Sequence, residues 1–195
     1  MHAFNEFASD YYKRFAETAQ SFDHTPLNDV LAVFDRVAAQ GGIIWIAGNG
    51  GSAGIADHSV CDVSKGTFVP GTTPFRMISL SANGPLLTAL GNDISYDDVY
   101  SEPLKYYLTE KDALLVVSSS GNSPNVVKAV EYANAQKVPT MAFVGFKGGK
   151  LKEIAETVVH VEVDNYGIVE DMHQSFIHVL TQYMYARKDA GTTGA

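Results

Sequence analysis

Residues 113–125 read Ala113-Leu114-Leu115-Val116-Val117-Ser118-Ser119-Ser120-Gly121-Asn122-Ser123-Pro124-Asn125. The first five are apolar without a break, as in a strand covered on both faces of a sheet. Hydroxyls, a glycine and an amide follow, the composition of a turn. Pro124 then fits the first position of a helix and Ser123 its N-cap. Working outward, the same grammar recurs. Short apolar runs bounded by Gly, Ser and Pro lie at 43–47, 75–80, 140–144 and 158–163, with helical stretches at about 53–65, 97–108, 124–136 and 149–156. Alternating strand and helix predicts a doubly wound parallel sheet.

The first 40 residues are different and read as two helices. Phe4, Phe7, Ala8, Tyr11, Tyr12, Phe15 and Ala16 recur at helical period on one face. After a break at Phe22-Asp23-His24-Thr25, Pro26 suits a first helical turn with Thr25 as cap, and Leu27, Val30, Leu31, Phe34, Val37 and Ala38 form a second stripe. The aromatic first stripe needs a partner, either the rest of the domain or another subunit. A last helix fits 167–187, with Ile168, Met172, Phe176, Val179, Leu180, Tyr183 and Met184 apolar, and 188–195 reads as a frayed tail. The whole chain, 1–195, is expected to be one domain.

Composition removes several classes. The chain is 46% hydrophobic, enough for a core, and carries 14 basic against 22 acidic residues, a net charge of −8. Nucleic acid and anionic membranes are poor partners for that balance, since phosphate backbones are held by clustered Lys and Arg. One cysteine leaves no disulfide framework. No apolar run reaches a membrane span, and no secretory signal opens the chain. A soluble, cytoplasmic protein is the expectation.

Two turns carry the chemistry. In the first, the apolar run 43–47 is followed by Gly48-Asn49-Gly50-Gly51-Ser52-Ala53 and a helix. Such a turn offers backbone N–H groups and the positive end of a helix dipole, and Ser52 adds a hydroxyl. Its glycines fit the looser dinucleotide fingerprint, but the next strand ends at Leu80-Ser81 with no acidic residue for a ribose, and no lysine makes it a P-loop. The second turn places Ser118, Ser119, Ser120 and Ser123 within six residues. Neutral hydroxyls and helix amides at strand ends can hold a phosphate monoester without a lysine.

Gly48–Ala53, Leu87-Thr88-Ala89-Leu90-Gly91-Asn92-Asp93 and Ser118–Asn125 together resemble the SIS (sugar isomerase) domain. More closely, the chain is similar to the bacterial phosphoheptose isomerases, which interconvert sedoheptulose 7-phosphate and D-glycero-D-manno-heptose 7-phosphate. The resemblance covers nearly the whole chain. It implies an α/β fold, a three-layer α/β/α sandwich with a five-stranded parallel sheet, assembled as a homotetramer. It also implies that Ser52, Ser118, Ser120 and Ser123 hold the phosphate with Ser119 close by, while Asn49, Gly50, Gly51, Asn92 and Asp93 contact the sugar.

Aldose–ketose exchange needs a base at carbon and an acid–base group at the oxygens, and a metal can polarise the carbonyl. His58 and Asp62, at i and i+4, share one helix face. Glu170, Asp171, His173 and His178 cluster on the last helix. Glu170 and His178 are about 12 Å apart along its axis, so only side chains leaning together could meet one ion. Oxygen and nitrogen donors without a thiolate suit zinc or a similar divalent ion. By resemblance, His58 and His178 fall on the family's histidines, Asp62 on its catalytic glutamate, Glu170 where many members have glutamine, and Gly66 where an arginine is common. The expected metal ligands are thus His58, Asp62, Glu170 and His178. The base is Asp62 or Glu170, His178 works at the oxygens, and Lys65 is a candidate for the missing positive charge. Cys61 reads as a small buried filler. The competing expectation is a non-catalytic SIS module that senses a sugar phosphate or docks a partner such as the replication initiator.

Overall fold

In a computed structural model, which describes residues 3–193, five strands form one sheet: β1 (Ile44–Gly48), β2 (Met77–Ser79), β3 (Ala113–Ser118), β4 (Thr140–Gly145) and β5 (Thr157–Val161). Every pairing is parallel and the order is β2-β1-β3-β4-β5. Period-two alternation splits each central strand between two cores. Ile44, Ile46, Leu115, Val117, Met141 and Phe143 face one, and Trp45, Ala47, Leu114, Val116, Ala142 and Val144 face the other. Both sides are therefore covered, and the sandwich has three layers.

The first core is roofed by α1 (Phe4–Ser21), α2 (Thr25–Ala39), α3 (Gly51–Val60) and α8 (Tyr166–Thr193). The second is roofed by α4 (Gly84–Asp93), α5 (Ser101–Tyr107), α6 (Pro124–Ala135) and α7 (Gly149–Ile154). The helix α2 begins at the expected cap, Thr25, one residue before Pro26. Asp23 supplies the capping oxygen, accepting from the Thr25 N–H at 2.9 Å. The aromatic stripe of α1 divides: Tyr11 and Phe15 pack on the core, while Phe4, Phe7 and Tyr12 stay exposed. Tyr11 Oη donates to Asp171 Oδ2 at 2.5 Å, which ties α1 to α8.

Three features depart from the expectations. Helix α4 was not anticipated, although Asn83 Oδ1 caps it by accepting from the Leu86 N–H at 3.1 Å and Pro85 stands in its first turn. The expected frayed tail is helical as far as Thr193. Lys188 anchors it, donating from Nζ to the Thr73 carbonyl at 2.7 Å and to that of Thr67 at 3.3 Å, with the ammonium over the Phe75 ring. Residues 194 and 195 lie outside the described residues. Cys61 is exposed, not a buried filler, and it opens a π-helical turn (Cys61–Lys65) that continues α3. Among the described residues no helix is long and apolar enough to cross a membrane.

Candidate active site

The sheet order fixes where the site lies. From β1 the chain steps outward to β2 and then returns to place β3 on the other side of β1. Ligands in open α/β sheets bind in the crevice at the strand C-termini where the winding reverses. Both serine-bearing turns leave from that crevice, one after β1 and one after β3. They close a cavity of about 150 Å³ lined by Asn49, Ser52, Ser118, Ser119, Ser120, Ser123, Val117, Tyr166 and Glu170.

The turns are shaped by glycine where nothing else fits. Gly50 has φ +54, and Gly121 has φ +66 with its would-be Cβ 2.0 Å from the Gly148 carbonyl oxygen. A Cβ on Gly51 would lie 2.5 Å from Glu170 Oε2, so the absence of a side chain there makes room for that carboxylate. Ser119 is buried, and its Oγ has no hydrogen-bond partner among the described residues. A buried hydroxyl left without a partner costs on the order of 1–3 kcal/mol, and a ligand oxygen in the cavity would repay it.

Two helical turns away the imidazoles converge. His58 Nε2 lies 3.2 Å from Asp62 Oδ2, and His178 Nε2 lies 3.5 Å from the same oxygen. The two Nε2 atoms are 3.4 Å apart. The π turn matters here, since Asp62 sits in its first positions and the Gly66 N–H donates to the Cys61 carbonyl at 3.0 Å. A Cβ on Gly66 would be 2.4 Å from the Asp62 carbonyl oxygen. A larger residue at position 66 could enter only by moving the turn that carries Asp62.

His58, Asp62 and His178 offer one ligand atom each within 4.8 Å of one another. Two imidazole nitrogens and a carboxylate oxygen meeting at one point suit a zinc-like ion. Glu170 is not part of this group. Eight residues of α8 separate it from His178, and it faces Gly51 and the serine cavity instead. Gly50 and Gly51 stand at the start of α3, as N-cap and first residue. Asn92 and Asp93 lie at the exposed end of α4, where the Asn92 Nδ2 donates to Asp93 Oδ1 at 2.7 Å, and neither lines the serine cavity. Lys65 lines neither this cavity nor the hollow of about 550 Å³ beside Asp62 and His178.

Residues that the sequence reading passed over complete the picture. The Gln174 amide lies 3.0 Å from His178 Nε2. Asn125 pairs with Asn49, and the Tyr96 and Tyr100 hydroxyls reach Asn49 as well. Gln174 stands at i−4 from His178, a spacing readable in sequence, whereas only the folded chain brings Tyr96 to Asn49. His173, on α8 between Glu170 and His178, is fully buried beside Phe143 and Phe176. Burial pushes it down to about 4, against a weaker opposing pull from the Val144 backbone.

Comparison with known proteins agrees with this architecture. Residues 4–145 match the SIS domain family model. The phosphoheptose isomerase of Rhodospirillum rubrum is 30% identical over 178 residues, covering 91% of this chain and 92% of that protein. The phosphoheptose isomerase of Mycobacterium tuberculosis is 32% identical over 165 residues, covering 83% of this chain and 84% of that protein. The solved phosphoheptose isomerase of Neisseria gonorrhoeae shares the fold, with a TM-score of 0.86 at 23% identity over 94% of this chain and all of that one. With its strand order, its two serine turns and these relatives, the chain belongs to the SIS-domain family of phosphoheptose isomerases.

Proposed function

We propose that the protein interconverts sedoheptulose 7-phosphate and D-glycero-D-manno-heptose 7-phosphate through an enediol. The observation that carries this reading is the spacing of two meeting points between α3 and α8. Gly51 meets Glu170 at one end, and His58 meets His178 at the other. Seven residues along α3 and eight along α8 amount to about 10–12 Å at 1.5 Å per residue. An extended seven-carbon chain, at about 1.3 Å per C–C step plus the phosphoester, spans about 10 Å. The phosphate then fits the serine cavity while the carbonyl end reaches the imidazoles.

In this reading Ser52, Ser118, Ser119, Ser120 and Ser123 donate hydroxyl hydrogens to the phosphoryl oxygens, with the α3 N-terminus adding its dipole. The base at carbon comes from the reactive end. Asp62 turns Oδ2 to both imidazoles, and its Oδ1 makes no hydrogen bond or ion pair among the described residues, which leaves it for the carbon-bound proton. Glu170, the other candidate, stands at the anchoring end. His178 moves protons at the two oxygens. His58, Asp62 and His178 would hold a divalent ion, zinc by donor type, without Glu170. Such an ion supplies carbonyl polarisation when bound. Asn92 and Asp93 stand outside both cavities.

We also propose a homotetramer in the cytoplasm, with Phe4, Phe7 and Tyr12 of α1 covered by another copy. Light scattering reads that state. The function is tested by turnover of sedoheptulose 7-phosphate with and without chelator. Asp62→Ala and His178→Ala should each lose at least 100-fold in kcat while still binding inorganic phosphate. Full turnover by both variants contradicts the reading.

A further inference from the structure

The amide of Asn49 is held in one orientation by groups outside the cavity. A backbone N–H can only donate. Val126 N–H donates to Asn125 Oδ1 at 2.9 Å, which identifies that atom as oxygen. Asn49 must then turn its NH₂ toward Asn125 Oδ1, and it donates there at 2.8 Å. Asn125 Nδ2 returns the bond to Asn49 Oδ1 at 2.9 Å, closing an amide–amide ring between the end of β1 and the start of α6. Tyr96 Oη donates to the same Oδ1 at 3.1 Å. Two lone pairs are thereby filled. Tyr100 Oη, 3.2 Å away, has one proton, and its shorter contact is to the Gly48 carbonyl.

Asn49 therefore has no acceptor left and one N–H unused, and it lines the serine cavity. We propose that Asn125 and Tyr96 are positioning residues that lock Asn49 as a one-way donor into the phosphate cavity and hold the two turns in register. The inference rests on the phosphate reading of that cavity. It implies that the ligand atom met at this point accepts, as a phosphoryl oxygen does.

Tyr96 is the residue to test, because its ring is exposed and Tyr96→Phe removes only the hydroxyl. Calorimetric titration with inorganic phosphate is run on a double-mutant cycle of Tyr96→Phe and Asn49→Ala, with melting temperatures recorded in parallel. The expected result is a three- to tenfold weaker Kd for Tyr96→Phe, an unchanged melting temperature, and no further loss when Tyr96→Phe is added to Asn49→Ala. Equal losses in both backgrounds, or none in either, overturn the lock and leave the anchor standing. Phosphate that binds none of the four proteins contradicts the anchor itself, and the lock falls with it.

Discussion

Replacing Glu170 by glutamine should tighten phosphate binding. The carboxylate lines a cavity whose other lining residues carry hydroxyls, an amide, a phenol and a valine, and no cationic side chain is among them. A void of about 150 Å³ has a radius of roughly 3 Å, which puts a bound phosphorus about 5 Å from a carboxylate on its wall. At an effective dielectric constant of about 20, one charge pair at that distance repels by about 3 kcal/mol. Glu170 is only half-buried, and salt screens the pair, so about 1.5 kcal/mol is a fair expectation. That is a tenfold lower Kd for Glu170→Gln, read by calorimetry with inorganic phosphate at pH 8 and 0.15 M salt. Glutamine keeps the length and the fit over Gly51, so shape is held while charge is removed. An unchanged or weaker Kd would refute the reasoning, because it would mean that the carboxylate reaches the phosphate as a neutral donor or through a bridging cation.

Other perturbations follow from the same geometry. Ser119→Ala should raise the KM for sugar phosphate several-fold while the ligand-free protein gains up to about 1 kcal/mol in denaturant melts, since the lost hydroxyl has no partner to miss it. Gly66→Arg should cost on the order of 2–3 kcal/mol and about 100-fold in kcat, because its Cβ must displace the Asp62 carbonyl now 2.4 Å away. His173 gives a pH signature. Its folded value near 4 lies below its ordinary 6.5, so folding favours the neutral ring. The stability this gives is complete above about pH 6.5 and is lost as pH falls toward 4, by up to about 3 kcal/mol. His173→Phe should flatten that part of the stability–pH curve in urea titrations.

The parts of the molecule written in local sequence were legible. The five apolar runs became the five strands, since a strand buried on both faces needs uninterrupted Val, Ile and Leu. The Ser118–Ser123 turn and the Gly48–Ser52 turn were visible as punctuation, and the winding of the sheet brought them together. Helix α4 hid because it is only ten residues long and its glycines, Gly84 and Gly91, with Pro85, read as loop. The π turn hid because one extra residue in a helix leaves no mark in periodicity, yet at its end a Cβ on Gly66 would meet the Asp62 carbonyl oxygen. Glu170 entered the expected metal set through the resemblance, although His178 stands two turns further along α8. Its partner proved to be the gap at Gly51, a long-range fact. The Asn49–Asn125 ring spans 76 residues and could not be read from either turn alone.

Enediol chemistry leaves an isotopic trace, and that trace is the most direct test. Sedoheptulose 7-phosphate is incubated with the protein in D₂O, and the recovered heptose phosphates are examined by mass spectrometry and proton NMR. The account predicts an aldose product carrying deuterium at carbon 2, with none formed by Asp62→Ala. Recovery of the ketose as the sole sugar, unlabelled at carbon 1, from protein that binds phosphate in the same buffer would contradict it.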